Sequence, residues 1–319
     1  MTQETLTLVV ARRRVEGNGV LLLDLVDRAG KPLPPFEAGA HVDLHLAPGL
    51  VRQYSLCGDP ADRGRYRLGI LRDPGSRGGS VAAHDGLDEG TEVAVGLPRN
   101  LFPLADSAAH SLLVGGGIGI TPMIAMAHAL AAAGRSFELH YCGRSREACA
   151  FLDELAGAPF RDRVALHLDD GPAGQRLDLP TLLGGSPAGT HLYVCGPTGF
   201  MEWVIGEATR LGLPDDRIHR EYFQAETATG GDAFEVVANR SGKRVRVEGD
   251  ETIVQALGRI GIKVQMSCEQ GVCGTCLCTV LEGTPDHRDV FLTDEEKADN
   301  DQILLCCSRA RTGTLVLDI

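Results

Sequence analysis

The chain has 319 residues, 43% of them hydrophobic, and a formal net charge of -12. That length suits two or three domains, and that hydrophobic fraction suits packed cores rather than disorder. The charge argues against nucleic acid as a partner, since phosphates call for a basic surface, and no apolar run approaches a membrane span. An acidic surface can steer a basic protein partner or serve solubility alone. The N-terminal residues show no basic segment followed by an apolar core, so no signal peptide is expected.

The first domain is expected over residues 1–107. Short apolar runs at 6–10, 20–26, 41–46, 65–71 and 92–95 are separated by Gly and Pro clusters. Strands at that spacing predict an antiparallel barrel or sandwich. Within it, a strand through Arg52, Gln53, Tyr54 and Ser55 puts Arg52 and Tyr54 on one face and the other two on the opposite face. A guanidinium suits a phosphate and an aromatic face suits a planar ring. Downstream, Gly78, Gly79 and Ser80 precede a helix-like stretch at 81–84. Two glycines expose backbone N–H groups and Ser80 can cap the helix, which makes a seat for an anion. Alone, each piece reads as an ordinary strand or turn; together they suit a flavin phosphate.

Residues 108–224 read differently. Strand and helix patterns alternate: strands at 111–114, 137–142, 164–168 and 191–195, helices at 123–133, 147–155 and 199–211. That order predicts an α/β parallel sheet. Two turns follow strands and open helices. The first holds Gly116, Gly117, Gly119 and Thr121, with Thr121 as the expected N-cap and Pro122 at the first helical position. The second holds Cys195, Gly196 and Pro197, with Met201 just beyond. Neither matches G-x-G-x-x-G, but side-chain-free turns at the carboxyl ends of parallel strands admit a pyrophosphate. Empty turns, and a Cys195 that is only a small buried residue, are the bland alternatives. Arg144 and Arg146 follow the strand at 137–142, where a 2′-phosphate, a ribose or solvent could meet them.

A small, polar, Gly-containing linker is expected at 225–233, then a third domain at 234–319. A hairpin is expected around residues 240–242, with Asp250 or Glu251 capping a helix over 252–259. Cys268, Cys273 and Cys276 stand at C-x4-C-x2-C spacing, with Cys306 thirty positions after Cys276. That is the ligand set of a plant-type [2Fe–2S] cluster. Zinc sites normally use paired C-x2-C knuckles, so the x4 gap argues against zinc. Gly271 and Gly274 let the loop curl closely. Cys278 and Cys307, beside two ligands, are expected to be packed thiols. The remaining cysteines form no evident disulfide framework, which suits a reducing, cytoplasmic setting.

With these motifs the chain resembles the ferredoxin–NADP reductase superfamily, whose flavin motif is Arg-x-Tyr-Ser. More closely it resembles the phthalate dioxygenase reductase and vanillate demethylase reductase family, over essentially its whole length. The resemblance implies a flavin barrel, a nicotinamide domain and a C-terminal β-grasp ferredoxin. It implies FMN held by Arg52, Gln53, Tyr54, Ser55, Ile70, Leu71, Arg72, Gly78, Gly79 and Ser80. NADH is implied at the two glycine turns, with Cys195 near the nicotinamide, Thr121 near the flavin and Phe223 beside the flavin ring. A monomer that passes electrons to a separate Rieske-type aromatic oxygenase or O-demethylase is the implied function.

The chemistry is coherent with that order. NADH gives two electrons as a hydride, a [2Fe–2S] cluster takes one at a time, and a flavin converts between them. The competing readings are a reductase for a haem-thiolate monooxygenase, and a non-enzymatic metal-binding or redox-sensing protein with empty glycine turns.

Overall fold

Period-two alternation near the N-terminus makes strands, and the chain closes them on themselves. The computed structural model describes residues 4–73, 75, 77–224 and 230–319. Its first strands are β1 (Thr5–Glu16), β2 (Val20–Val26), β3 (Ala40–Ala47), β4 (Leu50–Ser55), β5 (Tyr66–Leu71), β6 (Glu92–Gly96) and β7 (Arg99–Asn100). They pair antiparallel in the order β4-β3-β6-β1-β2-β5, with β7 on β3. The two ends of that order meet: Leu56 bridges Leu68, and the Cys57 amide donates to the Arg67 carbonyl at 3.0 Å. Closure leaves little exposed edge and encloses Leu21, Leu23, Val42, Leu44 and Leu68, all fully buried.

β1 is longer than its apolar run suggests. Arg12 to Val15 pair with Leu21 to Asp24 of β2 across a bulge after Val10, so partner hydrogen bonds extend the strand through a polar stretch. The helix α1 (Gly79–Gly86) begins two residues before the expected stretch, with Gly78 as N-cap in the left-handed region at φ 82°. Ser80 therefore does not cap it. Its hydroxyl instead accepts from the Asp73 amide at 3.1 Å.

The parallel sheet follows: β8 (His110–Gly116), α2 (Ile120–Ala132), β9 (Phe137–Gly143), α3 (Leu152–Gly157), β10 (Val164–Leu168), α4 (Leu179–Gly185), β11 (Thr190–Cys195), α5 (Thr198–Arg210) and β12 (Ile218–Glu221). Strand order is β10-β9-β8-β11-β12, so the order reverses between β8 and β11. Both of these strands are buried along their whole length, as central parallel strands must be. Thr121 is not the cap of α2: Gly119 is, and the Thr121 hydroxyl donates to the Ile118 carbonyl at 2.9 Å. The helix expected from residue 147 starts only at Leu152. Residues 149–151 are used for packing instead. The Phe151 amide donates to the Glu16 carboxylate at 2.8 Å, and the Phe151 ring is buried against Gly69 of β5. The helix α4 was not expected; Asp178 caps it by accepting from the Thr181 amide at 3.1 Å.

Barrel and parallel sheet together form one compact unit, Met1–Glu221; Tyr222–Ile319 form a second. The second unit holds β13 (Phe234–Ala238), β14 (Lys243–Val247), α6 (Ile253–Arg259), β15 (Leu277–Glu282), β16 (Pro285–Asp286), α7 (Asp294–Asp299), β17 (Gln302–Leu304), β18 (Arg309–Ala310) and β19 (Thr314–Leu317). Its main sheet runs β14-β13-β19-β15-β17, with β13 parallel to β19 and β16 paired separately with β18. The helix α6 packs Ile253, Ala256 and Leu257 on that sheet. Its cap is Thr252, in a reciprocal box with Gln255, rather than Asp250 or Glu251. A side chain that accepts from the third amide while the third residue answers back satisfies two donors at once. Thr293 and Glu296 repeat the arrangement at α7. Of the expected linker, residues 225–229 lie outside the described residues. Gly230 to Asp232 are tied down: Arg288 donates to the Gly230 carbonyl at 2.7 Å and Arg309 to the Asp232 carbonyl at 3.1 Å.

Candidate functional site

The first unit gathers three sets of predicted residues. On β4, Arg52 lies over the start of α1. A Cβ on Gly79 would stand 2.4 Å from Arg52 Cγ, and the guanidinium donates to the Arg77 carbonyl at 3.1 Å and to the Val51 carbonyl at 2.7 Å. A positive group is thus fixed beside the N-terminus of an eight-residue helix, where an anion is favoured. Next to it, burial pushes the Tyr54 phenol up to about 12, so it stays neutral. The Gln53 side-chain amide nitrogen is buried without a partner among the described residues. A buried donor with nothing to donate to asks for a ligand acceptor, and a flavin ring edge offers several. On β5, Ile70 is buried and its carbonyl meets His84 Nε2 at 2.9 Å, and Leu71 is exposed; just beyond the strand, Arg72 pairs with Asp85 at 2.8 Å. These residues fit a flavin phosphate and ring.

The two glycine turns lie side by side where β8 and β11 end. A Cβ on Gly119 would stand 2.2 Å from the Cys195 carbonyl oxygen and 2.6 Å from the Gly196 nitrogen. Cβ atoms on Gly116 and Gly196 would meet the Phe200 ring at 2.7 and 2.9 Å. Gly117, at φ 54°, faces open space. Glycine is therefore required for the turns to touch, and Gly117 leaves room above them, as a pyrophosphate seat needs. Met201 is fully buried in α5, and its amide donates to the Pro197 carbonyl of the second turn at 3.0 Å. Cys195 is fully buried, and burial pushes its thiol well up. Thr121 is buried too; a Cβ on Gly69 of the barrel would stand 2.9 Å from its methyl group. Thr121 therefore joins the first turn to the expected flavin strand.

Two features went unpredicted here. Glu221 ends β12, and the Ser55 hydroxyl donates to its carboxylate at 3.4 Å. Burial pushes the Glu221 carboxyl up to about 8, and it also raises the Cys195 thiol. An acidic residue closing a strand beside an aromatic pair was the only signal for it. Arg144 stands exposed after β9, next to the turn that follows β10: the Asp169 amide donates to the Gly143 carbonyl at 3.0 Å and the Asp170 amide to the Arg144 carbonyl at 3.2 Å. Two acidic residues at the end of a parallel strand could have been read as partners for a ribose hydroxyl.

In the second unit, Phe223 lies two residues beyond β12 and is half-buried. The four predicted cysteines converge and are all buried. The Cys268 sulfur is within hydrogen-bond reach of the Cys273 and Cys306 thiols, which hold its own thiol far below the usual range; Cys306 also reaches Cys276 and lowers it. Among the described residues no trio of His, Cys, Asp or Glu is arranged for a single ion. A two-iron cluster asks for four thiolates, two to each iron, and four buried cysteines meet here. Backbone amides also face the sulfurs: Gln270 donates to Cys268 at 3.4 Å and Thr275 to Cys273 at 3.5 Å. Such donors favour thiolates. The loop's glycines are forced by contact. A Cβ on Gly274 would stand 2.4 Å from the Phe291 ring, and one on Gly271 would stand 2.6 Å from the Cys307 sulfur. Cys307 lies against that loop, while burial pushes the Cys278 thiol on β15 up to about 11.

Comparison with known proteins agrees with both units. Residues 236–311 match the 2Fe-2S iron-sulfur cluster binding domain, and residues 113–205 match the oxidoreductase NAD-binding domain. A vanillate O-demethylase oxidoreductase from Pseudomonas sp. (strain HR199 / DSM 7063) is 49% identical over 313 residues, 98% of this chain and 99% of that one. The solved structure of phthalate dioxygenase reductase, described as modular for electron transfer from pyridine nucleotides to [2Fe-2S], superposes with a TM-score of 0.77 at 39% identity. It covers 99% of this chain and 98% of its own. An intact type IV self-sufficient cytochrome P450 monooxygenase gives a TM-score of 0.86 at 40% identity over 99% of this chain, which spans 41% of that longer one. The chain therefore belongs to the family of vanillate O-demethylase oxidoreductase and phthalate dioxygenase reductase, NADH-dependent reductases that use FMN and a [2Fe–2S] cluster to supply multicomponent oxygenases.

Proposed function

We propose that this chain is a monomeric, cytoplasmic reductase that hands electrons singly to a separate Rieske-type oxygenase or O-demethylase acting on an aromatic acid. The domain limits 1–107, 108–224 and 234–319 and the site residues named from the sequence belong to this reading. The observation that supports it most is the shared wall of Thr121, Gly69, Gly119 and Cys195, by which the nucleotide turn reaches both the barrel strand and the second turn. The names vanillate O-demethylase oxidoreductase and phthalate dioxygenase reductase support an aromatic substrate. The match to a self-sufficient P450 supports a second reading, in which the partner is a haem-thiolate monooxygenase.

Bound FMN supplies the exchange between a two-electron hydride donor and a one-electron acceptor. The residues do the rest. Arg52 and the N-terminus of α1 would hold the flavin phosphate, and Gln53 and Tyr54 would fix the ring. Gly116, Gly117, Gly119, Gly196 and Pro197 would let the nucleotide backbone lie close. Thr121 and Cys195 would frame the nicotinamide and exclude water from it. Glu221 holds a proton on its carboxyl up to about pH 8 and so keeps a negative charge away from this end of the site. Asp169 and Asp170 beside Arg144 would disfavour a 2′-phosphate and accept from a 2′-hydroxyl, which favours NADH. Cys268, Cys273, Cys276 and Cys306 would hold the cluster.

The test is coupling. Purified reductase is mixed with NADH and either a Rieske-type O-demethylase with vanillate or a haem-thiolate monooxygenase with its substrate. Product formation with the first alone is expected. Turnover with the haem protein alone would replace this reading with the second.

A further inference from the structure

The segment between β16 and α7 carries an ionisable pair for which the electron path so far has no use. The Asp289 carboxylate is fully shielded and accepts from the Leu292 amide at 2.9 Å and the Ser308 hydroxyl at 3.3 Å. His287 Nδ1 stands 3.7 Å from Asp289 Oδ1, and its side chain is only 8% exposed. Neither imidazole nitrogen has a hydrogen-bond partner among the described residues. Burying an imidazole with no hydrogen-bond partner is costly and calls for an explanation. Asp289 in turn backs onto the cysteine loop: a Cβ on Gly271, between Cys268 and Cys273, would stand 2.9 Å from Asp289 Cβ.

We propose that His287 and Asp289 are positioning residues for electron acceptance, a buried proton site whose charge balances the electron arriving at the four cysteines. This rests on the reading of Cys268, Cys273, Cys276 and Cys306 as [2Fe–2S] ligands. The exchange balances: one electron enters the cluster from the reduced flavin, and one proton enters the imidazole from solvent. With His287 neutral, Asp289 stands as a buried carboxylate beside an anionic cluster and opposes the electron. With His287 protonated, the two close an ion pair and that opposition is cancelled. The coupling runs both ways, because whatever raises electron affinity on protonation must raise proton affinity on reduction.

The neighbouring charges are otherwise engaged. Asp286 takes Arg288 at 2.9 Å and Arg311 at 3.8 Å. Arg309 of β18 donates to the carbonyls of Glu251, Glu248 and Asp232. Lys297 of α7 donates to the Asp289 backbone carbonyl at 2.9 Å. The Cys307 thiol lies against Gly271 beside the ligand thiols, 3.8 Å from the Ser308 hydroxyl. Of the groups facing the Asp289 carboxylate, His287 is of the type whose charge changes in the physiological range.

The decisive measurement is the cluster's midpoint potential in the full-length holoprotein, between about pH 5.5 and 9, for wild type, His287→Gln and Asp289→Asn. The wild-type potential is expected to fall as pH rises, with a slope approaching a tenfold change in the reduction equilibrium per pH unit, about 59 mV for a one-electron couple. His287→Gln should be flat at the high-pH wild-type value, and Asp289→Asn flat at a higher one. A flat wild-type potential, or a slope undiminished in His287→Gln, overturns the proposal. Should His287→Gln fail to load its cluster, Asp289→Asn decides by the same criterion. Iron and sulfide content separates the two readings: a wild-type chain without cluster refutes the cysteine ligands, whereas a loaded one with a pH-independent potential refutes only the proton site.

Discussion

Glu221 carries its proton more tightly folded than unfolded, because burial raises its carboxyl from 4.5 to about 8. Between those values the folded chain holds the extra proton, so stability falls as pH rises through that window and the loss is complete above the folded value. Glu221→Gln removes the penalty. The variant is expected to gain on the order of 2 kcal/mol over wild type at high pH, allowing for solvent screening of a half-buried group, and to match it near pH 4.5. Urea denaturation at both pH values checks this; a gain independent of pH contradicts it. The cysteines give a second residue-scale test. Cys306 is in reach of Cys268, Cys276 and Cys307, and Cys307 also lies against Gly271 of the loop. Cys306→Ser should lose the iron–sulfur absorbance and Cys307→Ser should keep it. Loss in both would place Cys307 among the ligands.

At the scale of elements, the glycine turns are the most exacting feature. Gly119→Ala would drive a methyl group into the Cys195 carbonyl and push the β8 and β11 turns apart. Overpacking of that kind costs about 1–3 kcal/mol. The KM for NADH should rise roughly tenfold or more, the equivalent of about 1.4 kcal/mol in binding. Steady-state kinetics with an artificial acceptor read this without the cluster; an unchanged KM would remove the turns from the nucleotide site. Strands of both sheets could be read from the sequence because their period is local, and the glycine turns because they break it. The start of α3 could not. Residues 147–151 have helical composition, but Phe151 is claimed by Glu16 and Gly69, far away in sequence. The caps of α6 and α7 are written as Thr-x-x-Gln and Thr-x-x-Glu, but Asp250, shortly before Thr252, is a cap-competent type too. Glu221 was hidden for the same reason as α3: its burial comes with Ser55, 166 positions away.

Across the whole molecule, the cluster motif and the chain order were legible because each depends on a spacing, and the domain matches at 113–205 and 236–311 fall on the two stretches that carry those motifs. What the sequence could not reveal was which polar groups fold against those motifs. His287 and Asp289 look like loop residues until Gly271 and Ser308 enclose them. The second unit also holds its own entry segment, since Arg288 and Arg309 fasten residues 230–232. The central claim is that both units lie on one electron path that starts at NADH. Anaerobic titration of the purified chain with NADH, followed by absorbance and electron paramagnetic resonance, tests it most directly. The account predicts that flavin and iron–sulfur bands both bleach and that a paramagnetic reduced cluster accumulates. Bleaching of the flavin band with a cluster signal that never develops, or a preparation containing zinc and no iron, would contradict it.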